Sequence, residues 1–280
     1  MYKLITFCKW CQDLSLPELA AHLKGLGFDG VDLPCRPGAP IGPEDAPNML
    51  PEVKNIFGDH GIALERLVTG ITEANDVNDR QLEAIRTAGV KRIRLGGYPT
   101  LPGTCDPRQL LDQARRNYVE VQKMLQKHDV RGGVQNHSGS CLEVNVSSTL
   151  RMVQDCDPEW LGVQFDPGHQ TISGEPFELA IDLLGPALHS VNFKSPRFDY
   201  FADRETGTLS YGVIWLPLRD GMLNVPGVLK KLKAVGHTEP ISLHAEYRTH
   251  YHAIEKETEA TSKLVAEDLQ YVRKMMAEHL

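Results

Sequence analysis

The stretch GGVQNHSG, residues 132–139, combines the two features on which the predicted fold depends. Its first residues, 132–134, form a short run with the character of a buried strand. Gln135, Asn136 and His137 follow at the point where that strand would end. A strand end with three polar side chains is either a surface turn or part of a binding site. The rest of the chain bears on this choice, because similar strand ends recur along it.

Short apolar runs alternate with helical patterns along the whole chain. We predict strands over Lys3–Cys8, Gly30–Leu33, Ala63–Thr69, Arg92–Leu95, Gly132–His137, Leu161–Asp166, Ser190–Lys194 and Ile241–Tyr247. Helices are predicted near 17–26, 48–60, 74–88, 108–128, 146–156, 176–184, 226–235 and 255–278. Several of the predicted helices begin with the expected proline or capping residues, such as Pro17, Asn145 and Pro176.

Eight strands, each followed by a helix and with no linker between them, predict an α/β fold with one closed (β/α)8 TIM barrel over residues 1–280. The main rival is an open doubly wound sheet. In its nucleotide-binding form this rival carries a glycine-rich phosphate loop after the first strand, and the sequence has none there. The barrel is therefore the preferred prediction.

Composition narrows the class of partner. Hydrophobic residues make up 41% of the 280 residues and charged residues 24%, and no stretch is long or apolar enough to predict a membrane span. The net charge is −7 and no basic cluster stands out, which argues against nucleic acid. The opening MYKLITFCKW is not typical of a signal peptide, so a cytoplasmic location is expected.

The six cysteines are scattered, and they are expected to be reduced thiols. Cys8 and Cys11 have the CxxC spacing of redox motifs. Such a pair normally opens a helix directly after a strand, whereas here the predicted helix begins only at Pro17. Redox chemistry is therefore disfavoured, and zinc binding is disfavoured because the sequence has no second cysteine pair of this kind.

Two connections are unusual. Residues 34–51 contain six prolines and predict a stiff loop, and residues 195–225 run for about thirty positions with little periodicity. Both follow strands, so both are expected on the catalytic face of a barrel, as extended active-site loops. A solvated or dimer-forming excursion is the alternative for the longer one. If the protein is a homo-oligomer, the 34–51 segment is the expected contact.

Polar residues end each of the last four predicted strands. In a barrel these strand ends converge on one mouth. A lone histidine or aspartate at a strand end usually caps a helix, but four consecutive strands with polar ends favour a site. The set comprises Gln135 and His137, Asp166 and His169, Asn192 and Lys194, and His244 and Glu246.

Five segments resemble the xylose isomerase-like TIM barrel superfamily of sugar phosphate isomerases and epimerases. They are GFDGVDL near the second strand, QNHSG at the fifth, FDPGH at the sixth, VNFKS at the seventh and SLHAEY at the eighth. The stretch PLRDGMLNVPGVLKKLKAVG also resembles the segment before the last strand of these proteins. The resemblance does not name a substrate, because members also include inosose and dehydroshikimate dehydratases and deoxyribonuclease IV-type endonucleases.

The resemblance implies a divalent metal held by Glu, Asp, His and Glu from strands five to eight. The matching positions here are Gln135, Asp166, Asn192 and Glu246, so one carboxylate and one imidazole are replaced by amides. A set with oxygen ligands only would favour Mg²⁺ or Mn²⁺, and also Ca²⁺, over Zn²⁺. The resemblance further implies that His169, His244, Lys194 and Arg36 line the pocket.

These replacements bear on the reaction. Related epimerases use carboxylates at the positions of Gln135 and Glu246 on opposite faces of the substrate, and a glutamine cannot take a proton. One base is enough for other reactions. Glu246 or a histidine such as His137 could remove a proton next to a carbonyl, with a metal or Lys194 stabilising the enolate oxygen.

We therefore expect an isomerase-like enzyme that acts on a small sugar or keto-sugar. The alternatives are a keto-sugar or polyol dehydratase or lyase, including one that cleaves keto-glycosides, and a barrel that only binds sugar. Trp215 in the long loop is a candidate for stacking on the sugar ring. An endonuclease is disfavoured, because it would need a basic surface and more metal ligands.

Overall fold

The computed structural model describes residues 1–101, 103, 105–249, 253–254 and 257–280. Eight parallel strands close into a barrel in the order β1-β10-β7-β6-β5-β4-β3-β2, and β8 and β9 form a separate antiparallel hairpin. The predicted TIM barrel is confirmed. The strands are β1 Leu4–Phe7, β2 Gly30–Pro34, β3 Ala63–Val68, β4 Arg92–Arg94, β5 Arg131–Gln135, β6 Leu161–Phe165, β7 Leu188–Phe193, β8 Ser195–Ala202, β9 Leu209–Leu216 and β10 Ile241–Leu243.

The helices pack outside the barrel and begin at recognisable caps. Glu18 accepts a hydrogen bond from the Ser15 amide at 3.0 Å, and Asn145 Oδ1 accepts one from the Ser148 amide at 2.8 Å. The helices are α1 Leu16–Leu26, α2 Ala46–Asp59, α3 Asp76–Thr87, α4 Pro107–His128, α5 Val146–Val153, α6 Pro167–Ser173, α7 Phe177–Leu184, α8 Val225–Ala234 and α9 Thr258–His279. Short 3₁₀ turns cover Cys8–Cys11 and Gly185–Ala187. Helix α6 was not predicted.

The barrel interior contains a buried polar layer. Arg66 on β3 donates to Asn192 Oδ1 on β7 at 3.0 Å and to Asp32 Oδ2 on β2 at 3.4 Å. Arg66 is 2% exposed, and Asp32 and Asn192 are fully buried. Arg66 also donates to the carbonyl of Pro240, the residue that precedes β10. Since this network joins three barrel strands, it contributes to the barrel's stability.

The 195–225 segment was expected to have little regular structure, and that expectation was wrong. Strands β8 and β9 pair residue for residue, from Ser195 opposite Leu216 to Ala202 opposite Leu209. In the connecting turn Asp203 Oδ1 accepts hydrogen bonds from the amides of Glu205 and Thr206. Most of the hairpin is exposed, so its strands lack the apolar pattern of a buried strand. This is why hydrophobic periodicity did not reveal them.

The proline-rich segment 34–51 is shorter as a loop than expected. β2 extends to Pro34, Cys35 forms an isolated bridge with Ile41, and α2 begins at Ala46. The expectation that this segment pairs copies of the chain stays a prediction, as does the role of both segments as active-site loops.

Cys8 and Cys11 lie inside the protein, in the 3₁₀ turn after β1, with exposures of 1% and 0%. Burial raises the pKa of the Cys8 thiol well above its ordinary value. Neither thiol is in a disulfide. A buried thiol with a raised pKa is a poor nucleophile, which agrees with the disfavoured redox interpretation.

Among the helices of the described residues, none combines the length and the apolar character needed to span a membrane.

Asp268 on α9 makes the stability depend on pH. Its Oδ1 accepts from the Leu218 amide and its Oδ2 from the Tyr247 hydroxyl, each at 2.7 Å, and burial raises its pKa from 3.8 to about 7. The folded protein thus holds this proton more tightly than the unfolded chain. The stabilisation is fully present below about pH 4 and is lost as the pH rises from there through about 7, which amounts to about 4 kcal/mol in the free energy of unfolding.

Asp268→Asn is expected to abolish this slope, because the amide does not titrate in the folded or the unfolded state, while its oxygen still accepts a hydrogen bond from the Leu218 amide. Urea unfolding at pH 5 and pH 8 measures the effect, with exposed Asp112→Asn on α4 as the control for net charge. Equal pH dependence in wild type and Asp268→Asn would contradict the assignment.

Candidate active site

Lys194 is at the centre of the group of polar side chains at the barrel mouth. It directly follows β7, and its Nζ donates to Glu246 Oε2 at 2.8 Å and lies 3.8 Å from Asp166 Oδ2. Asp166 directly follows β6, and Glu246 lies three residues beyond β10. Lys194 is 4% exposed and Asp166 is fully buried. The structure therefore joins three of the predicted site residues in one ion cluster, in which Glu246 alone is partly exposed.

Gln135, the last residue of β5, is held against Asp166. Its Nε2 donates to Asp166 Oδ2 at 2.6 Å, while its Oε1 is buried without a hydrogen-bond partner among the described residues. Asp166 Oδ1 accepts the His169 amide at 3.0 Å and thereby caps α6. Asn136 fixes the backbone of Asp166 through two bonds, of 2.8 and 2.9 Å. Asp166 is thus rigidly placed.

The rings of the two predicted histidines after β5 and β6 pack against each other with their planes inclined by 40°. The ring centroids of His137 and His169 are 3.9 Å apart, and Trp215 packs edge-on against His169 at 5.0 Å. The Ser138 amide donates to His169 Nδ1, so a neutral His169 carries its proton on Nε2. His137 Nδ1 faces the Ser138 carbonyl at 2.8 Å and donates to it, which leaves Nε2 as the acceptor nitrogen of His137.

Both histidines are neutral at physiological pH. Burial, reinforced by Lys194, lowers the pKa of His137 to about 4 and that of His169 well below its ordinary value. A neutral imidazole accepts a proton or a hydrogen bond but is a weak acid. In this resting state neither histidine is therefore suited to act as a general acid.

Trp215 on β9 lies beside Lys194, whose ammonium is 4.5 Å from the Trp215 ring centroid, and its stacking on a sugar stays a prediction. Trp215 exchanges two backbone hydrogen bonds, of 2.9 and 3.0 Å, with Arg248, two residues after Glu246. The hairpin is thereby fastened to the segment that carries Glu246.

Asn192 and His244 face the buried polar layer and not the Lys194 cluster. Asn192 Oδ1 accepts from Arg66, while His244 Nε2 lies 3.8 Å from Asp32 Oδ2 and its ring packs 5.0 Å from that of Phe7. Burial lowers the pKa of His244 despite the nearby Asp32 carboxylate. The contacts of these two predicted residues are therefore with the buried layer, although His244 still acts electrostatically on Glu246.

Basic side chains border the cluster, and two of them were not predicted. Lys9 Nζ lies 3.7 Å from Glu246 Oε1, and the charge of Arg94 at the end of β4 acts on Glu246 and Asp166. The predicted Arg36 stacks over Phe7 at 5.7 Å, and with Lys9 it lines a cavity of about 670 Å³. Applying the strand-end argument to the first four strands as well as the last four would have found Arg94.

Glu246 is ionised in this environment. Burial alone opposes its charge, but the cations of Lys194 and Lys9, together with His244, outweigh burial and hold its pKa well below the usual range. A carboxylate so strongly paired is a weak base until Lys194 moves to another acceptor.

The four proposed metal ligands do not converge. Asp166 and Glu246 share the Lys194 ammonium, Gln135 turns its nitrogen to Asp166, and the Asn192 oxygen is bonded to the Arg66 cation. In the described part of the chain no three His, Cys, Asp or Glu side chains form a metal-holding group. As arranged, these donors do not fit a divalent metal. The ligand assignment stays a prediction that this arrangement does not support.

Gly168 on α6 gives Lys194 its room. A Cβ at residue 168 would lie 2.3 Å from the Lys194 carbonyl oxygen and 2.9 Å from its Cγ. Because the first of these atoms is backbone, Gly168→Ala is expected to displace Lys194 and to cost about 1–3 kcal/mol in the free energy of unfolding.

Chemical denaturation measures this effect. Gly25→Ala in α1 is the matched control, since no heavy atom lies within 4 Å of its new Cβ, and it should stabilise by up to about 1 kcal/mol. A Gly168→Ala variant as stable as the control would contradict the packing described.

The fold and the mouth define a (β/α)8 barrel with an acid–base cluster at the ends of its strands. The chain belongs to the xylose isomerase-like TIM barrel family, whose model matches residues 20–275. The family resemblance predicted from the sequence is confirmed.

Solved structures of this fold cover almost the whole chain. The apo 3-keto-D-glucoside 4-epimerase of E. coli is 14% identical, covers 98% of this chain and 100% of its own, and has a TM-score of 0.73. A D-psicose 3-epimerase is 11% identical over 98% and 99%, with a TM-score of 0.72. A probable 3-DHS dehydratase of Bacillus anthracis is 16% identical over 94% and 98%, with a TM-score of 0.63. At these identities the likeness shows the fold alone.

A curated relative, an uncharacterized protein of Methanocaldococcus jannaschii, is 24% identical over 137 residues. The match spans 48% of this chain and 43% of that protein, so this chain matches less than half the length of that relative.

Proposed function

We propose that this protein is a carbohydrate-active enzyme of the isomerase type, which removes a proton from the carbon next to a carbonyl of a sugar or keto-sugar. The observation that carries the proposal is the pair of buried Lys194 and partly buried Glu246 at 2.8 Å, a carboxylate base beside a cation. Family membership supports the proposal, as do structural neighbours named as epimerases and a dehydratase.

In the first step a substrate carbonyl oxygen takes the hydrogen bond of Lys194. Glu246 loses its main charge partner and becomes more basic, so it can accept the proton from the adjacent carbon. The electron pair of the broken C–H bond moves onto the carbonyl oxygen, and Lys194 stabilises the resulting enolate.

The walls of the pocket position the sugar. Trp215 and the His137–His169 pair provide flat surfaces beside Lys194. The unpaired Gln135 Oε1 and the acceptor Nε2 of His137 are suited to sugar hydroxyls. Arg36 and Arg94 supply further donors at the border, while His244 and Asn192 lie deeper in the barrel.

Gln135 limits the reaction to one carboxylate base. Return of the proton to the former carbonyl carbon, with transfer of the hydroxyl proton from one enediolate oxygen to the other, gives aldose–ketose isomerisation. Loss of a β-substituent with its electron pair gives a dehydratase or lyase, which is the second candidate. Gln135 favours both of these over a two-carboxylate epimerase, because an amide cannot exchange the proton on the opposite face.

Deuterium exchange tests the proposal whichever product is formed. Aldoses, ketoses and 3-keto-glycosides are incubated with the enzyme in D₂O and followed by proton NMR. Loss of the signal next to a carbonyl is expected for at least one class. An unchanged product mass apart from deuterium indicates isomerisation, whereas loss of water or of an aglycone indicates the lyase. Sugar binding without exchange throughout the panel would instead identify a protein that only binds its ligand.

A further inference from the structure

We propose that the ammonium group of Lys194 is the resident cation of this site, in place of the divalent metal that the family resemblance implies. The exclusion of a metal follows from the geometry and the charges of the site. Its consequence for catalysis rests on the proposed function.

The position of Lys194 opposes the binding of a metal. Lys194 Nζ lies between the two carboxylates of the site, 2.8 Å from Glu246 Oε2 and 3.8 Å from Asp166 Oδ2. It is buried and covered by the Trp215 ring at 4.5 Å. A metal that used both carboxylates would have to displace this ammonium, and the buried cation would then lose its ion-pair partners at a cost of several kcal/mol.

The orientation of the Gln135 and Asn192 amides also opposes the binding of a metal. Gln135 presents Nε2 to Asp166 Oδ2 at 2.6 Å, and the rotated amide would bring two oxygens to that same distance. The Asn192 oxygen faces Arg66 Nη1 at 3.0 Å, so a dication bound there would have a guanidinium as its neighbour. Neither amide is arranged as an oxygen ligand for a shared metal.

The charges around the two carboxylates oppose the binding of a metal as well. Asp166 and Glu246 supply two negative charges, and Lys194 and Lys9, 3.7 Å from Glu246 Oε1, already supply two positive ones. Arg94 adds a third positive charge that acts on both carboxylates. A dication would enter a site whose carboxylates are already neutralised, whereas a partly negative enolate oxygen is attracted to it.

The inference makes Lys194 the group that keeps a metal out. Lys194→Ala removes the cation and opens space between the two carboxylates, so it is expected to create a Mn²⁺ site. Lys194→Arg keeps the charge and should bind none. Lys263→Ala, at an exposed lysine on α9, is the matched control for the change in net charge.

Mn²⁺ binding is measured by electron paramagnetic resonance and calorimetry on chelator-dialysed protein, with elemental analysis of each variant as purified. Wild type, Lys194→Arg and Lys263→Ala should show no specific Mn²⁺ at millimolar concentration, and Lys194→Ala should bind one equivalent. Asp166→Asn added to Lys194→Ala should weaken that site at least about tenfold, because one of its two anionic ligands is lost.

Two results would overturn the inference. One is near-stoichiometric metal in the wild type that is lost in Asp166→Asn. The other is a folded Lys194→Ala variant, verified by circular dichroism, that binds no Mn²⁺. Neither measurement uses a substrate. A failed deuterium-exchange screen would thus not contradict the role of Lys194 as the resident cation. Conversely, metal in the wild type would not contradict the proposed proton abstraction.

Discussion

Glu246→Gln is expected to reduce the rate of deuterium exchange at the substrate carbon by about 10²–10⁴-fold, the usual contribution of a general base. The amide has nearly the same shape as the carboxylate and can still accept a hydrogen bond from Lys194, but it cannot take a proton. The effect should therefore fall on kcat, with a smaller change in KM. Single-turnover exchange followed by NMR measures the chemical step directly.

Glu52→Gln, at an exposed position on α2, is the control for loss of one negative charge and should exchange at the wild-type rate. Circular dichroism and a melting curve establish that Glu246→Gln is folded. If this folded variant kept more than a tenth of the wild-type rate, Glu246 would not be the base, and the acceptor nitrogen of His137 would become the next candidate.

Arg66→Met is expected to destabilise the protein by about 3–5 kcal/mol, the cost of leaving a buried charge without its partner. The substitution keeps most of the side-chain volume but removes the cation from Asp32, which is fully buried, and the donor from Asn192. Urea denaturation of the variant measures the change in the free energy of unfolding.

Two further variants separate the charge effect from packing. Arg66→Met combined with Asp32→Asn should be more stable than Arg66→Met alone, because no unpaired charge remains. Arg131→Met removes an exposed arginine that pairs with Glu159 at 3.3 Å, and should cost less than about 1 kcal/mol. An Arg66→Met variant as stable as Arg131→Met would refute the assignment of Arg66 to a buried ion pair.

The barrel could be predicted from the sequence because each of its eight strands is short, apolar and followed by a helical pattern. Helix α6 was missed, although Asp166 followed by Pro167 is a recognisable helix start. Asp166 was considered only as a candidate site residue and not as the cap of a helix. The β8–β9 hairpin was missed for a different reason, since its exposed strands are defined by pairing with each other and not by packing on the core.

The candidate site could be predicted in part. Strand-end positions identified Asp166, Lys194 and Glu246, and the structure brings these three together. The split of Asn192 and His244 into the buried layer could not be predicted, because it depends on Arg66 and Asp32, which lie in the middle of β3 and β2 and not at strand ends. Which amide atom Gln135 turns to Asp166 is a matter of side-chain geometry, and no spacing in the sequence encodes it.

The 2.6 Å hydrogen bond between Gln135 and Asp166 also determines how a carboxyl group at residue 135 would behave. A glutamate at residue 135 would replace the donating nitrogen with oxygen and bring two carboxyl groups into contact. At that distance both cannot ionise, so the pair would share one proton and titrate in two coupled steps. A variant with glutamate at residue 135 would therefore contain a pair of carboxyl groups that retains one proton at neutral pH. The protonated member of that pair could act as an acid. A single-residue change would thus add to the mouth the proton donor that its neutral histidines do not provide.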